Sequence, residues 1–185
     1  MFSANKPITV YENGEIVLRE FKPSMVQLFY LDMEPLTVLK RIQFLIDSVY
    51  GYTVYYLYID GEPVGYCTIT SGKNSRYTFA SDKDIMIGSY FVKDECRGKG
   101  YASALVKLVI SECKTEWDKG FLYIKNKNVP SIHVAQNIGA KFIFHARNTR
   151  LRKLIRDENG EFGIYMLQNS NTKSGNHDVV QRVNV

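Results

Sequence analysis

Residues 84–92 carry apolar side chains on both faces of an extended chain, the pattern of a strand buried inside a sheet rather than at its edge. They lead into the polar stretch Lys93-Asp94-Glu95-Cys96 and then into Arg97-Gly98-Lys99-Gly100-Tyr101-Ala102. Past that point Ala102, Leu105, Val106, Val109 and Ile110 recur at helical spacing and predict an amphipathic helix over residues 99–114. A buried strand, a glycine-bearing turn and a helix that packs back on the sheet confine the chain to α/β architecture. The junction also has a chemistry of its own. Amides in the first helical turn lack intrahelical partners and the helix dipole favours negative charge there, so phosphate oxygens are suited to it. Gly98 and Gly100 remove Cβ atoms where backbone must approach such a ligand.

The remaining elements fit around that unit. Residues 15–20 alternate as a strand before Pro23, and Leu36, Leu39, Ile42, Leu45, Ile46 and Val49 mark a helix that ends at Gly51. Two β-branched and aromatic runs, 54–59 and 64–70, flank Asp60-Gly61-Glu62-Pro63 and predict a hairpin. A short strand at 121–124, a helix over 130–138 stopped by Gly139, and strands at 141–146 and 162–167 complete the set. The expectation is one α/β domain over residues 1–168, a mixed sheet flanked by helices, followed by a polar tail at 169–185.

Lysine and arginine outnumber aspartate and glutamate by 24 to 19, an excess that favours an anionic ligand without demanding nucleic acid. Two phosphate-binding alternatives fail on the residues. Gly98-Lys99 is followed by Gly100, so the hydroxyl that a P-loop offers to magnesium is missing. Gly98-Lys99-Gly100-Tyr101-Ala102-Ser103 lacks the last residue of a dinucleotide fingerprint and its acidic ribose partner. Cys67, Cys96 and Cys113 show neither metal-ligand spacing nor an even count, so reduced thiols and no metal site are expected. With no apolar leader and no run of about 20 apolar residues, the sequence reads as cytoplasmic, with no membrane partner.

Residues 97–102 match the R/Q-x-x-G-x-G/A pattern of the GNAT acetyltransferases, and Asn128-x-x-Ser131 with Gly139 resembles the same family further on. Within it the chain looks most like the branch that acetylates ribosomal-protein N-termini. The resemblance implies a mainly antiparallel sheet with one splayed strand pair, and acetyl-CoA as cosubstrate. Arg97, Gly98, Lys99, Gly100, Tyr101 and Ala102 would then hold the pyrophosphate, the pantetheine arm would pair with backbone at Phe91 and Val92, and Asn128 would hydrogen-bond that arm. Asn128 also reads as a helix N-cap, and both roles are compatible. The partners implied are acetyl-CoA and a primary amine, which attacks the thioester directly in a ternary complex, in a monomer or homodimer that binds no nucleic acid. A protein N-terminus, an amino sugar linked to a nucleotide and a polyamine stay open as acceptors.

The chain also departs from the family. The tyrosine that many members use as general acid is replaced by Ala135, and their usual glutamate base by Met86 or Ile87. Ser131 is the substitute acid, with a helix-capping role as its alternative and His133 as a weaker rival; Asp84 is the nearest candidate base. Tyr56 and Tyr58 would line an acceptor pocket or simply pack, and Asp32 and Glu34 would meet an amine cation or water. With both usual proton-transfer positions apolar, a non-catalytic coenzyme A-binding module is the alternative function.

Overall fold

The computed structural model describes residues 5–169. Among the described residues nine strands form one open sheet in the order β1-β2-β3-β4-β5-β6-β9-β7-β8. The strands are β1 (Ile8–Asn13), β2 (Ile16–Phe21), β3 (Tyr52–Ile59), β4 (Glu62–Ser71), β5 (Ile85–Val92), β6 (Lys119–Lys125), β7 (Lys141–Asn148), β8 (Leu154–Arg156) and β9 (Phe162–Gln168). Three helices accompany them: α1 (Val38–Tyr50), α2 (Tyr101–Glu112) and α3 (Val129–Asn137). Every neighbouring pair is antiparallel except β5 and β6. Beyond Asn169, the expected tail lies outside the described residues.

The β3–β4 hairpin closes more tightly than its four turn-forming residues predict. Asp60 and Gly61 alone make the turn, both at positive φ, the geometry that matches the twist of the flanking strands. Strands β1 and β8 are absent from the sequence reading. β1 is an edge strand whose residues are all at least partly exposed, so no burial period marks it, and β8 is three residues long. β8 exists because the 74–80 loop docks on it: Leu154 donates its amide to the Arg76 carbonyl at 2.7 Å, and Thr78 Oγ1 donates to the Leu154 carbonyl at 2.9 Å.

One sheet face packs Leu57, Cys67, Ile69, Ile87, Leu122 and Ile124 against Leu105, Val106 and Val109 of α2 and Val134 and Ala135 of α3. The opposite face holds two separate clusters, one around Phe21, Phe44, Val54, Tyr56 and Tyr66, the other around Tyr77, Met86, Phe121, Leu154 and Ile164. Helix α1 belongs to this second face and is oriented against its own apolar period. Thr37 caps it, its hydroxyl accepting from the Lys40 amide at 3.3 Å. Leu39 and Val49 are 60% and 71% exposed, and Ile42 and Ile46 also face out, while Phe44 and Asp47 are the residues it buries. Lys40, Gln43 and Asp47 follow one another at helical spacing and line a pocket between the two clusters.

Candidate active site

Strands β5 and β6 pair at only two positions, Ile85 with Gly120 and Met86 with Phe121, and then separate. A β-bulge initiates the divergence: between Cys67 and Ile69 of β4, strand β5 carries one residue more than its partner. The result is a wedge-shaped cleft of about 190 Å³ lined by Gly88, Ser89, Tyr90, Tyr123, Asn128 and Ser131 among others. Beyond Met86 its β5 edge is paired with no strand. Lys93 donates its amide to the Val64 carbonyl at 3.0 Å, so in the antiparallel alternation Phe91 bonds toward β4, and Tyr90 and Val92 turn their amides and carbonyls to the cleft. That corrects the expected pair: the open edge consists of Tyr90 and Val92, while Phe91 spends its backbone on Tyr66 and stacks its ring on that tyrosine.

At the end of this edge, a short 3₁₀ turn, Asp94–Cys96, leads into residues 97–102. Gly98 and Gly100 both sit at φ +77. No protein atom lies within 4 Å of a Cβ built at either position, so it is the left-handed backbone that requires glycine in the free chain. Gly100 is the N-cap of α2 and supplies no side-chain cap, which leaves the amides of Tyr101, Ala102 and Ser103 pointing out of the helix end. Lys99 is exposed beside them. Arg97 folds back instead: its Nε donates to the Val92 carbonyl at 3.2 Å, and its guanidinium meets Asp94 at 2.8 Å and covers the Phe91 ring. It braces the strand-to-loop junction.

Helix α3 closes the other side of the cleft. Asn128 is its cap, the side-chain oxygen accepting from the Ser131 amide at 3.3 Å, so the capping role belongs to Asn128 and leaves the Ser131 hydroxyl free of it. The Tyr90 hydroxyl donates to the Ser131 carbonyl at 3.2 Å, fixing the helix start against β5; burial raises that phenol to about 12 and keeps it protonated. Ala135 is fully buried in the core and His133 is exposed. Ser131 is thus the α3 hydroxyl that lines the cleft.

Asp84 does not join this site. It precedes β5 at the end where β5 and β6 are still paired, and its carboxylate accepts from the Ser81 amide at 2.7 Å and the Ser81 hydroxyl at 2.8 Å. It fastens a turn, and the structure does not bring the base expected at Asp84 to the cleft. Tyr56 and Tyr58 are core residues as well: the Tyr56 hydroxyl accepts from the Tyr30 and Leu31 amides, and Tyr58 lies under Arg19. Glu34 is held by Lys40 at 2.5 Å and by the Tyr66 hydroxyl.

The pocket between the two clusters, about 850 Å³, shares Gly88, Ser89, Tyr123, Lys125 and Asn128 with the cleft, so the two meet at the splay. Asp47, 2% exposed, is its carboxylate. Asn74 donates to Asp47 Oδ1 at 2.7 Å and accepts from the Arg76 amide at 3.0 Å, fixing carboxylate and loop together. Burial pushes the Asp47 carboxyl up to about 6, against the opposing pull of the Arg76 charge and the Gln43 and Asn74 amides. Gln43 also donates to the Tyr123 hydroxyl at 3.3 Å. Asp47, Arg76 and Tyr123 were missed from sequence. They lie on a helix, a loop and a strand, and a polar stripe on α1 has the same spacing as any solvated helix face.

The model of the acetyltransferase (GNAT) family matches residues 11–140. No curated protein matches the sequence. RimL, a ribosomal L7/L12 α-N-protein acetyltransferase solved with coenzyme A, is 13% identical, with a TM-score of 0.57 over 87% of this chain and 98% of its own. The yncA protein of Salmonella typhimurium, solved with acetyl-CoA, is 14% identical, with a TM-score of 0.54 over 88% of this chain and 99% of its own. The bh2621 protein of Bacillus halodurans is 15% identical, with a TM-score of 0.62 over 88% and 90%. At these identities the likeness establishes the fold.

Proposed function

This chain belongs to the acetyltransferase (GNAT) family, and we propose that it moves an acetyl group from acetyl-CoA to a primary amine by direct attack in a ternary complex. The observation that carries the reading is the continuity of one open edge: backbone at Tyr90 and the Val92 amide that no neighbouring strand pairs, followed by the uncapped amides of residues 101–103 at the end of α2. An extended amide-bearing arm that ends in a pyrophosphate matches that sequence of donors and acceptors, first as an added strand, then as an anion at a helix end. Asn128 adds a side-chain amide on the far wall.

The thioester would then sit at the splay, where the cleft meets the larger pocket, and the amine would arrive from the pocket side. The Tyr90 amide, on the cleft-facing edge of β5 nearer the splay, is the donor for the tetrahedral oxyanion. Asp47 takes the place first given to Asp84: a carboxyl held near 6 is a proton acceptor suited to neutral pH, reaching the amine through water in the pocket. The Ser131 hydroxyl donates a hydrogen bond to the departing thiolate, which takes its proton from solvent. Since a free thiol has an ordinary pKa of about 8.5, that leaving group needs little help and a weak donor suffices.

Ser131→Ala is therefore expected to lower turnover by roughly tenfold to a hundredfold with little change in KM for acetyl-CoA. Because Asn128 caps α3, the melting temperature should hold; unchanged turnover per folded molecule removes Ser131 from the chemistry. The reading as a whole is tested by mixing the chain with acetyl-CoA and primary amines and following free thiol and N-acetyl product together. Tight coenzyme A binding with no amine-dependent thiol release would mean a binding module instead. Assignment to the ribosomal-protein branch is supported by the shared fold of RimL, a likeness that yncA has equally. The pocket speaks more directly to the acceptor.

A further inference from the structure

The pocket on the α1 side of the splay has a lopsided charge. Lys40, Arg76, Lys125, Arg150 and Arg152 line it, against the single carboxylate of Asp47. Two of these cations are already engaged, Lys40 with Glu34 and Arg152 with the Leu39 carbonyl. Arg76 is different. Its guanidinium lies over the rings of Tyr77 and Tyr123, at 5.7 and 5.5 Å from their centroids; its charge acts on Asp47 from a distance, but among the described residues its side chain makes no hydrogen bond and no ion pair within 4.0 Å. Its Nε is buried without a partner, as is the Asn148 side-chain oxygen on the same wall.

Stacking on two rings holds a guanidinium in place without using its donors, which stay available for a planar or tetrahedral anion in a forked geometry. The protein also gives up packing to present this wall. α1 turns Lys40, Gln43 and Asp47 inward and leaves leucine, isoleucine and valine in water, an arrangement that burial of apolar surface alone opposes. A neutral acceptor would leave the Arg76 donors unpaired, and a second ammonium group would be repelled by the lining cations.

We infer that Arg76 receives a carboxylate or phosphate carried by the acceptor, so that the amine acetylated here belongs to a small anionic molecule. The acetylation half of this statement rests on the transfer reading above; the anion site does not. Tyr123 sets the size. It lies under Arg76 and also lines the coenzyme cleft, so anion and amine are separated by about the breadth of one tyrosine ring, a few bonds apart. A polyamine, which brings further positive charge and no anion for Arg76, is the acceptor this lining disfavours.

The test uses the full chain saturated with coenzyme A, which cannot acetylate, and calorimetric titration with four amines. β-Alanine and O-phosphoethanolamine should bind at least about tenfold more tightly than ethanolamine or ethylenediamine, and the tighter of the two identifies the anion. In Arg76→Gln that preference should shrink to roughly threefold or less, and Arg76→Lys should retain part of it, having the charge without the fork. Equal or tighter binding of the neutral or cationic amine to the parent chain overturns the inference, as does an undiminished preference in a folded Arg76→Gln variant. If the preference appears but acetyl-CoA yields no product from either anionic amine, the transfer reading fails and the anion site stands.

Discussion

Gly100→Val should weaken coenzyme A binding by more than about a hundredfold while the chain stays folded. The argument begins with a torsion angle. Gly100 sits at φ +77, where a β-branched residue is strained by about 1–3 kcal/mol, yet no protein atom would meet the new Cβ within 4 Å. With no clash to resist and an exposed loop to move, the strain is relieved locally by rotation of residues 98–100 to negative φ. That rotation turns the amides of Tyr101, Ala102 and Ser103 away from their common target. A hydrogen bond to a charged oxygen contributes about 1.5–3 kcal/mol, so two lost amides account for the predicted drop. Calorimetry beside a melting curve checks it; unchanged affinity in a folded variant removes the loop from the binding site.

Asp47→Asn is expected to move stability and activity in opposite directions. Burial holds the folded-state carboxyl near 6, above its ordinary 3.8, so between those two values the folded chain binds the proton more tightly than the unfolded one. Stability contributed by the protonated form is complete below about pH 3.8 and is lost as the pH rises through about 6; the total is at most about 3 kcal/mol. Asparagine keeps the acceptor for Asn74 and never ionises. The variant should melt higher than the parent at pH 8 and close to it at pH 3.5. In the same variant kcat/KM should fall by about a hundredfold or more, and the acidic limb of the parent's profile, with an apparent pKa near 6, should vanish. A carboxylate kept only for structure would lower both quantities, and unchanged kcat/KM would return Asp47 to that role.

How far the sequence discloses this molecule depends on whether a feature is local. The strand–loop–helix unit was legible because its signals are adjacent: an apolar run, two glycines two residues apart, then a helical stripe. The face proposed to bind phosphate followed from the same stretch. Asp47 and Arg76 lie 29 positions apart by their numbering and line one pocket because the 74–80 loop is held both by β8 and by the bond from Asn74 to Asp47. A helical period shows that a helix has two unlike faces but not which one a protein turns inward, and α1 turns in the polar one. Asp84 attracted attention because it shares a strand with the splay. The decisive fact, that the strand pair opens at the far end, is a matter of register, to which a single strand's sequence is blind.

The unpaired edge of β5 gives a way to watch the site without any chemistry. An amide bonded inside a sheet exchanges its hydrogen with solvent only when the sheet opens, whereas one that faces a gap exchanges from the native state. Phe91 and Tyr66 protect each other, so Phe91 should take up deuterium slowly with the cleft empty or filled. Its neighbours Tyr90 and Val92 should label early and slow down only when an added strand of ligand covers them, leaving an alternating record of occupancy along three consecutive residues.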